Sequence, residues 1–353
     1  MLLSLFCGAG GLDVGFEAED YEVGLAFDLR KDSIESYNHN RKGKSKHGYV
    51  GDVSKLTLEE LDKLHGSEFA PEGVIGGPPC QSFSRANTVY LDADPRHSLP
   101  LAYAELLRKL NNRNLVKFFV MENVTGLLSE RHAHRLRRYE KAFEDAGFSL
   151  SRAVLLATDY STPQNRERLF VVGFNRELYG EAKWSPPPKV LTADGRRPDV
   201  RGAIGDLPEP TYFERGLTPE HIPFHVNHWC MTPKSPKFTT IGALRPGDGS
   251  NRSFKTLAWA SPSPTVAYGH REVHIHPSCR RRLSVYEAML LQGFPSDYEL
   301  IGSLSSQIDQ ISEAVPPPVA AAVAQSLGDQ IAALDSEREA QAQDTDAGAR
   351  ASA

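Results

Sequence analysis

The sequence predicts an α/β fold: a doubly wound, mostly parallel sheet with a smaller, loop-rich second domain. Three observations predict it. Strand-like apolar runs alternate with segments of helical period as far as Val124, the signature of crossover units and parallel strands. The runs end in glycines, acids or a Gly-Gly-Pro-Pro turn, where such sheets bind ligands. From about residue 176 the chain becomes rich in Pro and Gly and poor in long periodic patterns.

The elements follow in order. "LLSLF" is a short apolar run ending in "CGAGG", and "GLDVGFEAE" behind it has helical spacing. "EVGLAFD" reads as a second strand, "RKDSIESYNHN" as a helix, "HGYVGDV" as a third strand and "TLEELDKLHG" as a helix. "GVIGG" and "LVKFFVMENV" are further strands, with the helix "LPLAYAELLRKLN" between them.

With 353 residues, 40% hydrophobic and 24% charged, the chain has room for one large domain and a smaller one. "MLLSLF" lacks the basic start and cleavage site of a signal peptide, and no apolar run approaches membrane-spanning length. Four cysteines, at 7, 80, 230 and 279, make a poor disulfide framework and predict a reducing cytoplasm. The net charge of -5 is segregated: residues 176–290 hold 16 Lys and Arg against 11 Asp and Glu. That stretch also holds six of the twelve histidines and all three tryptophans. It reads as a substrate domain with a basic face or, equally, as an ordinary solvated surface.

The strand ends carry the candidate chemistry. The glycines at 8, 10 and 11 allow close approach to a ligand, and amides at a helix start favour negative charge. Asp28 closes the second strand, roughly 20 residues beyond, at the spacing that suits a ribose diol. Asp52 closes the third and offers an acceptor for an adenine amino group. The fourth ends in "GGPPCQSFS", residues 76–84. Two glycines and two prolines continue neither strand nor helix, so Cys80 stands on a stiff loop where functional groups are displayed. A cysteine merely packed in a tight turn is the alternative. The fifth strand ends in Glu122.

Six stretches in this order resemble the DNA cytosine-5 methyltransferases: "LFCGAGGLDVGF" (5–16), "GGPPCQSFS", "MENV", "PQNRERLFVVGF" (163–174), "HPSCRRRLSVYEAMLLQGFP" (276–295) and "ISEAVPPPVAAAVAQSL" (311–327). The resemblance implies the S-adenosylmethionine-dependent methyltransferase fold, with S-adenosyl-L-methionine as cofactor and double-stranded DNA as substrate. It assigns Cys80 as nucleophile, Glu122 as the carboxyl at cytosine N3, and Arg166 and Arg168 as arginines beside the flipped base. It assigns Phe6, Gly8, Gly10, Gly11, Asp28, Asp52 and Pro78 to the cofactor. It implies no metal. Residues 81–98 behind the nucleophile are polar and aperiodic, as a mobile catalytic loop requires.

The implied partition is a catalytic domain over 1–178, a target-recognition domain over 179–290, a return segment over 291–334, and a disordered tail over 335–353. The protein is expected to be a cytoplasmic monomer without membrane contact, acting alone or beside a restriction endonuclease of the same site. Two departures stand out. Ser312-Glu313 replaces the Gly-Asn usual in the last stretch, and Leu29-Arg30, rather than an acid, follows Asp28. His225, His228, Cys230, His274, His276 and Cys279 have the right chemistry for zinc but irregular spacing. A transfer-RNA methyltransferase and a non-catalytic DNA-binding relative are the alternative functions. The Cys-Phe-Thr tripeptide of the transfer-RNA branch is missing downstream of Glu122, and an intact Cys80 and Glu122 speak for an enzyme. The Asp/Asn-Pro-Pro-aromatic motif of amino-group methyltransferases is also missing.

Overall fold

The computed structural model describes residues 1–41, 47–79, 95–190, 196–249, 254–265 and 274–351. Cys80 and the loop after it, to residue 94, lie outside them.

The first half alternates as the sequence predicts: β1 (Leu2–Leu5), α1 (Gly11–Glu17), β2 (Val23–Asp28), α2 (Lys31–His39), β3 (Gly48–Val50), α3 (Leu58–His65), β4 (Gly73–Gly76), α4 (Leu99–Arg113) and β5 (Phe118–Val124). Then come α5 (Ala133–Asp145), β6 (Phe148–Leu156), the two-residue β7 (Gln164–Asn165) and β8 (Glu167–Asn175). A seven-stranded sheet runs β3-β2-β1-β4-β5-β8-β6. Its first five strands are parallel, and β8 is antiparallel to both β5 and β6. The strand order reverses between β1 and β4, so the loops leaving these neighbours diverge and open a crevice at their C-terminal ends.

Each strand alternates side chains between two cores. Leu3, Leu5, Val74, Phe119 and Met121 face α3, α4 and α5, while Leu2, Ile75, Phe118, Val120 and Phe170 face α1 and the C-terminal helix. On the first side Phe119 stacks on Phe143 with centroids 4.2 Å apart.

The rest is α6 (Arg176–Tyr179), α7 (Val200–Ile204), β9 (Thr211–Tyr212), β10 (Trp229–Cys230), β11 (Ser263–Pro264), α8 (Val285–Leu291), α9 (Leu304–Glu313) and α10 (Pro317–Ala351). A third core joins α7, α8 and α9 to Ala9 of the glycine loop. The N-terminus of α8 is fixed by a capping box between Ser284 and Glu287. The loop-rich region docks on the sheet domain through β11, which pairs with β7 beside Arg166.

Two features differ from the sequence prediction. Tyr179 and Trp184, assigned to the recognition domain, belong to the α10 side of the sheet core, where Trp184 Nε1 donates to Ser326 Oγ at 3.0 Å. The tail expected to be disordered from residue 335 continues α10 as far as Ala351. Asp335 anchors it, pairing with Lys117 Nζ at 2.6 Å and accepting from Tyr179 OH at 2.9 Å. Composition alone hides these partners because they come from distant parts of the chain.

Candidate active site at the strand ends

The glycine loop leaves β1 through three residues of positive φ: Phe6 (56°), Gly8 (54°) and Gly10 (89°). Left-handed backbone costs glycine little and a bulky residue such as Phe6 about 1–2 kcal/mol, so the strain at Phe6 is held in place by its surroundings. The Cys7 amide donates to Phe27 O at 3.0 Å and the Gly10 amide to Cys7 O at 2.8 Å. A Cβ added at Gly8 would have no neighbour within 4 Å, which leaves open space over the loop. Gly11 differs: a Cβ there would collide with Val315 O. Its lack of a side chain admits the return segment against the start of α1.

Asp28 ties the loop to the next strand. Its Oδ2 accepts the Gly8 amide at 2.9 Å and its Oδ1 the Arg30 amide at 2.8 Å. Burial raises its pKa against those two bonds. Each oxygen keeps a lone pair for a further donor. Leu29, 72% exposed, and Val50, 54% exposed, stand at the ends of β2 and β3, where Asp28 is in register with Val50. This apolar pair is invisible in a search for chemically active residues. Asp52 caps the turn Val53–Lys55: its Oδ1 accepts from Ser54 Oγ at 2.7 Å and from the Ser54 amide at 3.1 Å. Those bonds lower its pKa.

Glu122 sits at the end of β5 and is 8% exposed. The antiparallel register sets Arg168 opposite Val124, so Glu122 is its diagonal neighbour on the same face. Arg168 Nε lies 2.9 Å from Glu122 Oε1. Burial raises the Glu122 pKa, and the Arg168 and Arg166 charges pull it back without cancelling the rise. Arg166 is itself 1% exposed, and its Nη2 donates to Ser312 O at 2.8 Å. The predicted pair of arginines therefore divides its work: Arg168 holds the carboxyl, and Arg166 joins the sheet to the return segment.

The backbone leading to Cys80 is fastened beside this carboxyl. A Cβ on Gly77 would lie 3.0 Å from Glu122 Oε2, and Asn123 Nδ2 donates to Pro78 O at 3.2 Å. Pro78 is buried there, two residues before Cys80.

The two departures from the family pattern meet. Arg30 Nη1 reaches Glu313 Oε2 at 3.5 Å and Asp309 Oδ2 at 3.8 Å, and its Nη2 reaches Asp32 Oδ2 at 3.3 Å. The histidines of the zinc candidate are engaged otherwise. His228 bonds Ser284 Oγ at 3.0 Å and Pro208 O at 2.8 Å, and His225 stacks on Tyr286 with centroids 4.0 Å apart. His276 Nδ1 meets Ser278 Oγ at 2.9 Å, and burial pushes the Cys230 thiol up to about 12. Among the described residues no group of three or more His, Cys, Asp or Glu is placed to hold a metal. Among them too, no helix is long and apolar enough to cross a membrane.

Comparison with known proteins gives the family and the fold. The profile of the family described as C-5 cytosine-specific DNA methylase matches residues 1–329. The Type II methyltransferase M.FnuDI of Fusobacterium nucleatum is 32% identical over 349 residues, covering 92% of this chain and 93% of the relative. M.NmeDI of Neisseria meningitidis serogroup C is 30% identical, covering 93% and 83%. Among solved structures, a DNA modification methyltransferase encoded in an E. coli prophage superposes with a TM-score of 0.70 at 20% identity, covering 93% and 98%. The Dnmt2 methyltransferase of S. pombe superposes with a TM-score of 0.64 at 17% identity, covering 92% and 96%.

Proposed function

The chain belongs to the C-5 cytosine-specific DNA methylases, and on that premise we propose that it methylates a cytosine flipped out of one specific double-stranded sequence, through a covalent bond between Cys80 and cytosine C6. The enzyme is a DNA cytosine-5 methyltransferase with S-adenosyl-L-methionine as cofactor. The observation that carries the finer reading is the buried Glu122, held by Arg168 at 2.9 Å, beside the Gly77-Pro78 backbone that leads into Cys80.

The chain's own groups fit the cofactor. The open space over Gly8 takes a close-lying ligand, the free lone pairs of Asp28 suit a ribose diol, and exposed Leu29 and Val50 offer an apolar face to a purine. The bound cofactor supplies an electrophilic sulfonium methyl group.

Cytosine C5 is too weak a nucleophile to take that methyl unaided. Addition of the Cys80 thiolate to C6 turns the ring into an enamine, and its electron pair is directed from C5 to the methyl carbon. The thiol of a free cysteine, with a pKa of ~8.5, is partly ionised at neutral pH. Negative charge developing at N3 is met by Glu122, which burial raises above the ordinary carboxyl range and which stands as the acid at N3. After transfer a water takes the C5 proton, the C5–C6 double bond re-forms, and the Cys80 thiolate is expelled. Extrusion of the base costs a few kcal/mol. Residues 180–275 choose the sequence, with arginines contacting guanine edges. Kinship with Type II methyltransferases supports a companion endonuclease of the same site. The enzyme acts as a monomer on its duplex.

Bisulfite sequencing of DNA from cells expressing the protein tests this reading. It predicts protected cytosines within one short sequence; DNA left wholly converted rejects it.

A further inference from the structure

The sequence places its basic face in residues 176–290, yet a dense cationic run lies outside that stretch. Residues 131–138, "RHAHRLRR", hold four arginines, two histidines and no acid, in a chain of net charge -5. We infer that this run, at the start of α5, is a second DNA-contact surface that binds the phosphates of the duplex beside the nucleophile loop. The inference rests on the DNA methyltransferase reading above and adds a surface to it.

Four observations converge. Leu136, Tyr139 and Phe143 bury one face of α5, so His134, Arg137 and Arg138 are turned out and exposed. Residues 134 and 138 are spaced by four, which aligns them along one side of the helix. The helix follows β5 and runs back along the sheet, so its N-terminal half lies at the strand ends where Glu122 sits. Tyr139 OH donates to His97 O at 2.9 Å, which fixes α5 to the segment where the chain re-enters after the nucleophile loop.

The charge is also placed against the helix's own interest. The first turn of α5 has no acidic residue. Cations near a helix N-terminus oppose the macrodipole, where acids stabilise by about 0.3–1 kcal/mol each. Desolvation first, then the Arg135 and Arg131 charges, lower the pKa of buried His132, a sign of the positive charge gathered here. A face that costs the fold stability and lies beside the loop of a DNA-modifying enzyme matches a phosphate backbone. It carries no base-reading geometry, so it contributes affinity and register, not sequence choice.

The test uses the full-length protein with Arg137→Gln and Arg138→Gln together. Both sites are exposed, and glutamine is a good helix former. DNA binding is titrated against salt on a duplex carrying the methylated site and on an unrelated duplex. If both arginines contact phosphates, the slope of log K against log salt becomes shallower by about 1.8. Between about 50 and 200 mM salt the wild type then loses about tenfold more affinity than the variant. The loss of affinity is equal on both duplexes, and the methylated sequence is unchanged. Arg138→Glu weakens binding further. An unchanged slope in the variant, while the wild type binds and methylates, overturns the inference. So does a loss confined to the target duplex. A wild type that neither binds nor methylates DNA overturns the underlying reading instead.

Discussion

Arg168 Nε lies 2.9 Å from Glu122 Oε1, across adjacent antiparallel strands and almost out of water. The guanidinium holds back a pKa that burial has already raised. Arg168→Met removes a lowering influence, so Glu122 titrates at a higher pH in the variant than in the wild type. Carboxyl NMR on labelled glutamate reads this directly. A shift to lower pH means that the pair does not control the proton. Because the folded pKa is raised, ionisation of Glu122 costs the fold stability as pH climbs from the unfolded carboxylate value to the folded one. The variant's loss of stability is therefore greatest on the alkaline side.

Asp28 spends both oxygens on the backbone of the cofactor edge. Asp28→Ala frees the Gly8 and Arg30 amides and removes the carboxylate proposed to accept the diol. A hydrogen bond to a charged group contributes ~1.5–3 kcal/mol, so cofactor affinity falls by about tenfold or more in calorimetry while DNA affinity holds. A fall in DNA affinity with cofactor binding intact would show that Asp28 serves the other substrate.

These two sites were legible in the sequence because their chemistry lies at strand ends and the strands are short and regular. Glycines, Asp28, Cys80 and Glu122 fall one after another along a predicted edge, and five strands with four helices between them appear where the pattern sets them. What escaped was long-range. Gly11 reads as a cofactor glycine but makes room for Val315 O. The tail reads as disordered until Asp335 finds Lys117 and Tyr179. Arg30 and Glu313 look like two separate departures, 283 residues apart, and only the fold brings them together.

That pair carries a measurable coupling. Both side chains are partly exposed, and exposed ion pairs contribute ~0.2–1 kcal/mol. In a double-mutant cycle of Arg30→Gln and Glu313→Gln, each single change weakens cofactor binding by up to about fivefold. The double variant loses less than the sum of the two single losses, because the shared bond is lost only once. Strictly additive losses would show that the two residues act apart.

Asp13 gives a prediction of pH dependence. It is fully buried, its Oδ1 accepts from Tyr37 OH at 3.0 Å, and burial lifts its pKa to about 6. An unfolded aspartate titrates near ~3.9. Below that value both states are protonated and nothing is lost. As pH rises to about 6 the unfolded state ionises first, so stability falls, and above it the cost is constant at up to ~3 kcal/mol. Asp13→Asn removes the cost: Tm rises at pH 7 and stays near the wild-type value at pH 4. A gain at pH 4 that equals the gain at pH 7 contradicts the burial account.

The central claim is the bond between Cys80 and cytosine C6, and trapping measures it most directly. A duplex carrying 5-fluorocytosine at the methylated position has no C5 proton to release, so the covalent intermediate accumulates. Incubated with S-adenosyl-L-methionine, the wild-type protein should form a complex that survives denaturing electrophoresis, with mass spectrometry locating the nucleotide on Cys80. Cys80→Ser should form none while still binding the cofactor. A covalent complex that persists in Cys80→Ser, or a wild type that methylates cytosine yet traps nothing, would contradict the account.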